Sequence, residues 1–222
     1  MASQRFIDFM LEQGVLKFGV FTLNSGRISP YFFNLGEVSS GAAYARLGEA
    51  YADAIQGSGV EFDVLFGPAY KGIPIAVATA VALAARGYPV EVAYNRKEAK
   101  DHGEGGMLVG APVEGRVLLI DDVLTSGKAL RSAVDLIRHT SAEIVCAVIA
   151  MDRQELRDEN EPSAGTAVTA LADELGCPVV SIANLQDLIG YLEQTEAAAA
   201  EQTLAQMRDY QARYCLMHNS SG

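Results

Sequence analysis

A repeating order from about residue 44 onward constrains this chain most: a helical segment, a short apolar run, a polar loop, then another helical segment. The runs are Phe62 to Phe66, Val117 to Ile120, Ile144 to Ala150 and Pro178 to Ile182. They are nearly continuous rather than alternating, so both faces of each must be covered, as in a parallel sheet with crossover helices. The segment after the second run places Leu130, Ala133, Val134 and Ile137 on one stripe, as a helix lying on a sheet requires. Residues 185 to 217 read as further helices, with HNSSG as a frayed tail. Ahead of the repeats, Phe6, Phe9, Met10 and Val15 recur at roughly helical spacing, and FGVFTLNSGRISPYFFNLG reads as two short strands around an Asn-Ser-Gly turn. The expectation is an α/β fold with a central, mostly parallel sheet flanked by helices and a small N-terminal hood. A length of 222 residues with 50% hydrophobic content supplies one sizeable core, hence a single domain. Its parts are a hood and N-terminal elements over about 1–40, a core over about 41–195, and a C-terminal helix and tail over about 196–222.

Charge narrows the partners. With 28 Asp and Glu against 17 Lys and Arg, the formal net charge of -11 repels nucleic acid and anionic lipid at long range. A small anionic ligand must then be gathered by local cations, which makes the positions of those few cations informative. Cys146, Cys177 and Cys215 are odd in number and lack metal-ligand spacing, which points to a reduced, cytoplasmic protein. The opening MASQRFIDFMLEQGVL carries acids within its apolar pattern, unlike a signal segment, and the longest apolar stretch, Ile73 to Ala85, is too short to span a bilayer. No membrane role is expected.

In open α/β sheets, ligands bind beyond the carboxyl ends of the strands, so the loops after the runs are where chemistry belongs. The second run continues as VLLIDDVLTSGKALRSA: Asp121 and Asp122 end a strand, and a Thr-Ser-Gly turn opens a helix. Unpaired amide N–H groups and the positive end of a helix dipole make that turn a phosphate site, with Gly127 allowing close backbone approach. The two carboxylates suit the hydroxyls of a ribose and stabilise positive charge beside it. Gly127-Lys128 lacks the earlier glycine and following Ser or Thr of a Walker loop, and HGEGGMLVG fails the dinucleotide fingerprint at its last glycine. The first run continues as DVLFGPAYKGIPIA, presenting Tyr70 and Lys71 at the tip of a Gly67-Pro68 turn, where a lysine among amides can bind pyrophosphate or simply be solvated. Between them, YNRKEAKDHGEGG groups Arg96, Lys97, Lys100 and His102 ahead of Gly103, Gly105 and Gly106, a composition that fits either a solvated charge run or a loop closing over an anion. In MDRQELRDENEP, Arg153 follows a buried strand and is able to pair with a carboxylate, or to lie at the surface.

Taken in order and spacing, SGRISPYFFN, FGPAYKGIP, NRKEAKDHGEGG, LLIDDVLTSG and MDRQE resemble the orotate phosphoribosyltransferases, a type I phosphoribosyltransferase family. The resemblance covers residues 4 to about 195 and implies the type I phosphoribosyltransferase fold. It implies transfer of the phosphoribosyl group from 5-phosphoribosyl 1-diphosphate to orotate, dependent on Mg2+, by a homodimer whose lid is shared across subunits. Carried over by motif, Lys100, His102, Asp121 and Asp122 serve catalysis. The activated ribose is held by Tyr70, Lys71, Arg96, Lys97, Asp121, Asp122, Val123, Leu124, Thr125, Ser126, Gly127, Lys128 and Ala129, with Lys100 and His102 from the lid. Orotate is held by Phe32, Phe33, Thr125 and Arg153, the arginine facing its carboxylate. No direct protein ligand to the metal is assigned, the diphosphate being its main carrier.

Two positions depart from the family pattern: Asn24 stands where lysine is usual, and Lys128 where threonine is usual. The first removes a cation near the diphosphate and orotate; the second puts a long ammonium at the phosphate turn. They leave open a diverged paralogue acting on another base, or a non-catalytic sensor of ribose phosphates. The intact lid argues against the sensor.

Overall fold

Three of the four apolar runs form the middle of a six-stranded sheet, and the fourth, from Pro178 to Ile182, forms one of its edges. Residues 2–23, 25–100, 106–124, 128–158, 161–195 and 198–215 are described by the computed structural model, except for the side chains of 99, 100, 128, 162, 198 and 199. In chain order the elements are α1 (Ala2–Glu12), β1 (Leu16–Thr22), β2 (Ile28–Phe33), α2 (Gly41–Ser58), β3 (Val64–Gly67), α3 (Gly72–Ala85), β4 (Glu91–Lys100), β5 (Gly106–Gly110), β6 (Arg116–Val123), α4 (Lys128–Ile137), β7 (Glu143–Asp152), α5 (Ala167–Leu175), β8 (Val179–Asn184), α6 (Leu185–Glu193) and α7 (Ala198–Tyr214). The sheet order is β5-β4-β3-β6-β7-β8, and every neighbouring pair is parallel except β4–β5.

Alternation along β6 divides the core. Val117 and Leu119 face α4 and α5, joining Leu130, Ala133, Val134, Ile137 and Leu171. Leu118 and Ile120 face the opposite layer, joining residues of α1, α2, α3, α6 and α7. The stripe expected on α4 is therefore the one that is buried, and Cys146 is buried on β7. Helix α2 starts where the Ser40 side chain accepts a hydrogen bond from Ala43 N, and ends at Gly59 in the left-handed conformation. The hood is the antiparallel β1–β2 pair, in register at Leu16↔Phe33, Lys17↔Phe32 and Phe18↔Tyr31, as the sequence led one to expect.

One segment differs from the sequence reading. The composition of residues 94–106 reads as a solvated charge run or a closing loop, yet Arg96 and Lys97 lie on β4, which pairs with β5 at Ala93↔Gly110, Tyr94↔Val109 and Asn95↔Leu108 and, after an irregularity, at Lys100↔Gly106. A strand at the sheet margin can carry charges because only part of its surface is covered, and this hid it among polar residues. The HNSSG tail lies outside the described residues.

Candidate active site

The strand order reverses direction between β3 and β6: β4 and β5 continue to one side of β3, while β7 and β8 continue to the other side of β6. A crevice opens at such a point because the crossover helices leave toward opposite faces. The two loops that the sequence marks for phosphate chemistry are the ones at this reversal.

On the β3 side, the turn is packed tightly. A side chain at Gly67 would strike the Gly72 carbonyl, and one at Gly72 would strike Pro68, so both positions require glycine for close backbone approach. The buried Asn95 side chain on β4 accepts a hydrogen bond from Ala69 N at 3.1 Å and donates to Arg96 O at 3.1 Å, tying the turn to the neighbouring strand. The Ala69–Tyr70 peptide is cis. Tyr70 is exposed, with Lys97 Nζ 4.4 Å from its ring centroid. Lys71 reaches across the reversal to Asp122, Nζ to Oδ2 at 2.7 Å, and also donates to Asn34 Oδ1 at 3.3 Å.

On the β6 side, the two carboxylates differ. Asp121 is buried, its carbonyl accepts a hydrogen bond from the Tyr51 hydroxyl at 2.7 Å, and its Oδ1 accepts one from Asp122 N at 2.9 Å. Burial first, and then the charge of Asp122, push the Asp121 carboxyl up to about 7, against the opposing pull of the Asp122 amide and Lys71. Asp122 is more open and carries the ion pair with Lys71. One acid near neutrality and one paired acid can serve a polyol and a developing positive centre together.

Comparison with known proteins decides the family. The phosphoribosyl transferase domain family matches residues 36–174. An orotate phosphoribosyltransferase of Chromohalobacter salexigens is 53% identical over 220 residues, covering 96% of this chain and 94% of the relative. The chain belongs to the orotate phosphoribosyltransferase family. A second member, from Thioalkalivibrio sulfidiphilus, is 54% identical over 213 residues, covering 96% of this chain and 97% of its own. The crystal structure of an orotate phosphoribosyltransferase of Francisella tularensis superposes with a TM-score of 0.84 at 38% identity, covering 96% of this chain and all of that one. The expected type I phosphoribosyltransferase fold is thus the observed one.

Within that family frame, the structure brings Tyr70, Lys71, Lys97, Asp121 and Asp122 to one crevice. Arg96 follows Asn95 on β4. Val123 closes β6 opposite Met151, Leu124 is buried in the α4-side core, and Ala129 is exposed in the first turn of α4. On the hood, Phe32 is partly exposed and stacks on Phe21 with centroids 5.5 Å apart, while Phe33 packs half-buried against the core. Arg153 follows β7 directly with its side chain nearly buried. Asn24, His102, Thr125, Ser126, Gly127 and the side chains of Lys100 and Lys128 lie outside the described residues.

Sequence reasoning missed Asn34, Tyr51 and Asn95, which hold Lys71, Asp121 and the β3 turn. It also missed Ser29, Glu155 and Tyr210 around Arg153. Asn34 and Glu155 stood inside quoted motifs and could have been weighed; Tyr51 and Tyr210 carried no local signal.

Proposed function

We propose that this chain transfers the 5-phosphoribosyl group of 5-phosphoribosyl 1-diphosphate to orotate, giving orotidine 5-phosphate and diphosphate in pyrimidine biosynthesis, with the reacting sugar seated between the ends of β3 and β6. The observation that carries this reading is the meeting of Lys71 and Asp122 across the strand reversal, at 2.7 Å, because it puts the cation for a diphosphate and the acids for a ribose within one ligand's length. Breaking the C1–O bond sends its electron pair out with the diphosphate and leaves an oxocarbenium-like C1, to which the orotate ring nitrogen bonds as its N–H proton passes to an oxygen of the departing diphosphate. Asp121 and Asp122 accept hydrogen bonds from the ribose hydroxyls and favour the positive centre. Lys71 exchanges its carboxylate partner for the departing diphosphate, with Tyr70, Arg96, Lys97, Lys100 and His102 around it. The turn from Val123 to Ala129 holds the 5-phosphate by its amides. Closure of the charged segment excludes the water that would otherwise hydrolyse the activated sugar.

The hard oxygens of Asp121 and Asp122 would suit Mg2+ with several of its waters kept, and the ion, carried mainly by the diphosphate, would supply charge neutralisation of the leaving group. Phe32, Phe33, Thr125 and Arg153 receive orotate. A homodimer is supported by α3, a helix of 14 residues without a charged side chain that leaves Val77 and Val81 exposed on its outer face, followed by exposed Tyr88. Lys100 and His102 of one subunit then serve the neighbouring site. No helix among the described residues is long and apolar enough to cross a membrane. Three cysteines without disulfides fit a reducing cytoplasm.

Diphosphate release should be measured with orotate, uracil, adenine and hypoxanthine in turn, each with the activated ribose and Mg2+. Orotate is expected to be preferred by at least about a hundredfold in kcat/KM, since a site built to pair a carboxylate rejects bases lacking one. Faster release with another base would overturn the acceptor assignment.

A further inference from the structure

Arg153 enters a knot of half-buried polar groups drawn from three separate parts of the chain. Its Nε donates to Glu155 Oε1 at 2.6 Å, and its Nη2 donates to Ser29 Oγ on β2 at 3.1 Å and to the Tyr210 hydroxyl on α7 at 3.4 Å. The guanidinium lies 4.2 Å from the ring centroid of Tyr31, which is fully buried. Tyr210 donates its own proton to Glu155 Oε1 at 2.6 Å, and Glu155 Oε2 accepts from Arg27 Nη1 at 3.2 Å. Gln154, between the two, has φ 54, so the chain turns in the left-handed region there and both neighbours enter the same cluster. Among the described residues, Arg153 Nη1 has no hydrogen-bond partner.

An exposed arginine is a floppy ligand, and ordering it on binding weakens affinity; here the ordering is done in advance. Burial pulls the Arg153 guanidinium down, but Tyr31, Glu155 and Tyr210 outweigh it and hold the group charged. We infer that Glu155 and Tyr210 are positioning residues for the acceptor base: they fix Arg153 so that its Nη1 edge is presented to a carboxylate, and they make acceptor binding depend on the C-terminal helix α7. This rests on the reading that Arg153 receives the acceptor's carboxylate.

The test is steady-state kinetics of the full chain carrying Tyr210→Phe, Glu155→Gln, Arg153→Ala, or Tyr210→Phe with Arg153→Ala, with KM for each substrate, kcat and the melting temperature recorded. Tyr210→Phe keeps the ring and removes only the hydroxyl; it should raise KM for orotate by about three- to tenfold and leave KM for 5-phosphoribosyl 1-diphosphate within about twofold. Glu155→Gln should act in the same direction and more strongly. In the Arg153→Ala background, Tyr210→Phe should have no further effect on the orotate KM, since the two act as one unit. If Arg153→Ala raises the orotate KM and Tyr210→Phe does not, or if Tyr210→Phe raises both KM values along with a lower melting temperature, the positioning role is overturned while the arginine keeps its own. An orotate KM unchanged by Arg153→Ala overturns the arginine's role and the positioning role with it. Glu155→Gln leaves two guanidiniums facing each other and endangers folding, so Tyr210→Phe carries the decision.

Discussion

Asp121 is the last buried residue of β6, its carbonyl fixed by Tyr51 and its carboxyl raised to about 7 by burial and by Asp122. A raised carboxyl binds its proton more tightly in the folded state than in the unfolded chain. Its stabilising contribution is therefore full below the unfolded value of 3.8 and is lost as the pH rises through about 7. Asp121→Asn is then expected to melt higher than the parent above pH 7, by at least about 2 °C, with the advantage gone near pH 4; equal melting temperatures across that range would contradict the assignment. The same ionisation should appear in catalysis. Efficiency toward 5-phosphoribosyl 1-diphosphate should rise with pH through about 7, and Asp121→Asn should lower it and remove that rise. At this scale the sequence was readable where a functional side chain lies near or just beyond the carboxyl end of a strand, as with Asp121, Asp122 and Lys71. It was opaque where the partner is remote: Tyr210 lies 57 positions from Arg153, and nothing local links them.

Helices α2 and α3 pack closely enough that Gly48 has no room for a side chain, since a methyl group there would strike the Ala78 carbonyl on α3. Gly57, on the same helix, has open space around it. The two sites predict opposite signs for one substitution. Gly48→Ala should destabilise by about 1–3 kcal/mol through overpacking, whereas Gly57→Ala should stabilise by about 0.5–1 kcal/mol by adding helix propensity. Denaturant midpoints decide it, and equal effects at the two positions would contradict the packing. Because α2 also carries Tyr51, separation of α2 from α3 should loosen Asp121 and lower kcat in the first variant alone. Strands β3, β6 and β7 were legible because burial on both faces leaves little choice of residue type, and β8, half-buried at the sheet edge, was legible from its short apolar run. Strands β4 and β5 were not, since Arg96, Lys97 and Gly106 sit at the sheet margin, where strand and charged loop share a composition.

Across the whole molecule, a net charge of -11 coexists with a crevice into which Lys71 and Lys97 are gathered, so the long-range field repels polyanions while the local one accepts a small phosphate ester. The uncharged outer face of α3 is the other large-scale feature. On the proposal that this face pairs two copies of the chain, Val81→Glu should shift the mass by light scattering from twice 23.6 kDa to 23.6 kDa and lower activity; a retained dimer of full activity would place the interface elsewhere. Fold class and reaction family were readable from strand ends and loop motifs, but subunit arrangement depends on surfaces with no motif of their own. The central claim is that the reversal between β3 and β6 activates a phosphorylated ribose for transfer to orotate, and it is tested most directly by following the absorbance of orotate mixed with the chain, 5-phosphoribosyl 1-diphosphate and Mg2+. Orotate should disappear one for one with diphosphate release, at a rate lowered by at least about a hundredfold in an Asp121→Asn, Asp122→Asn double variant. Orotate unchanged with the parent chain, or consumed equally fast by the double variant, would contradict it.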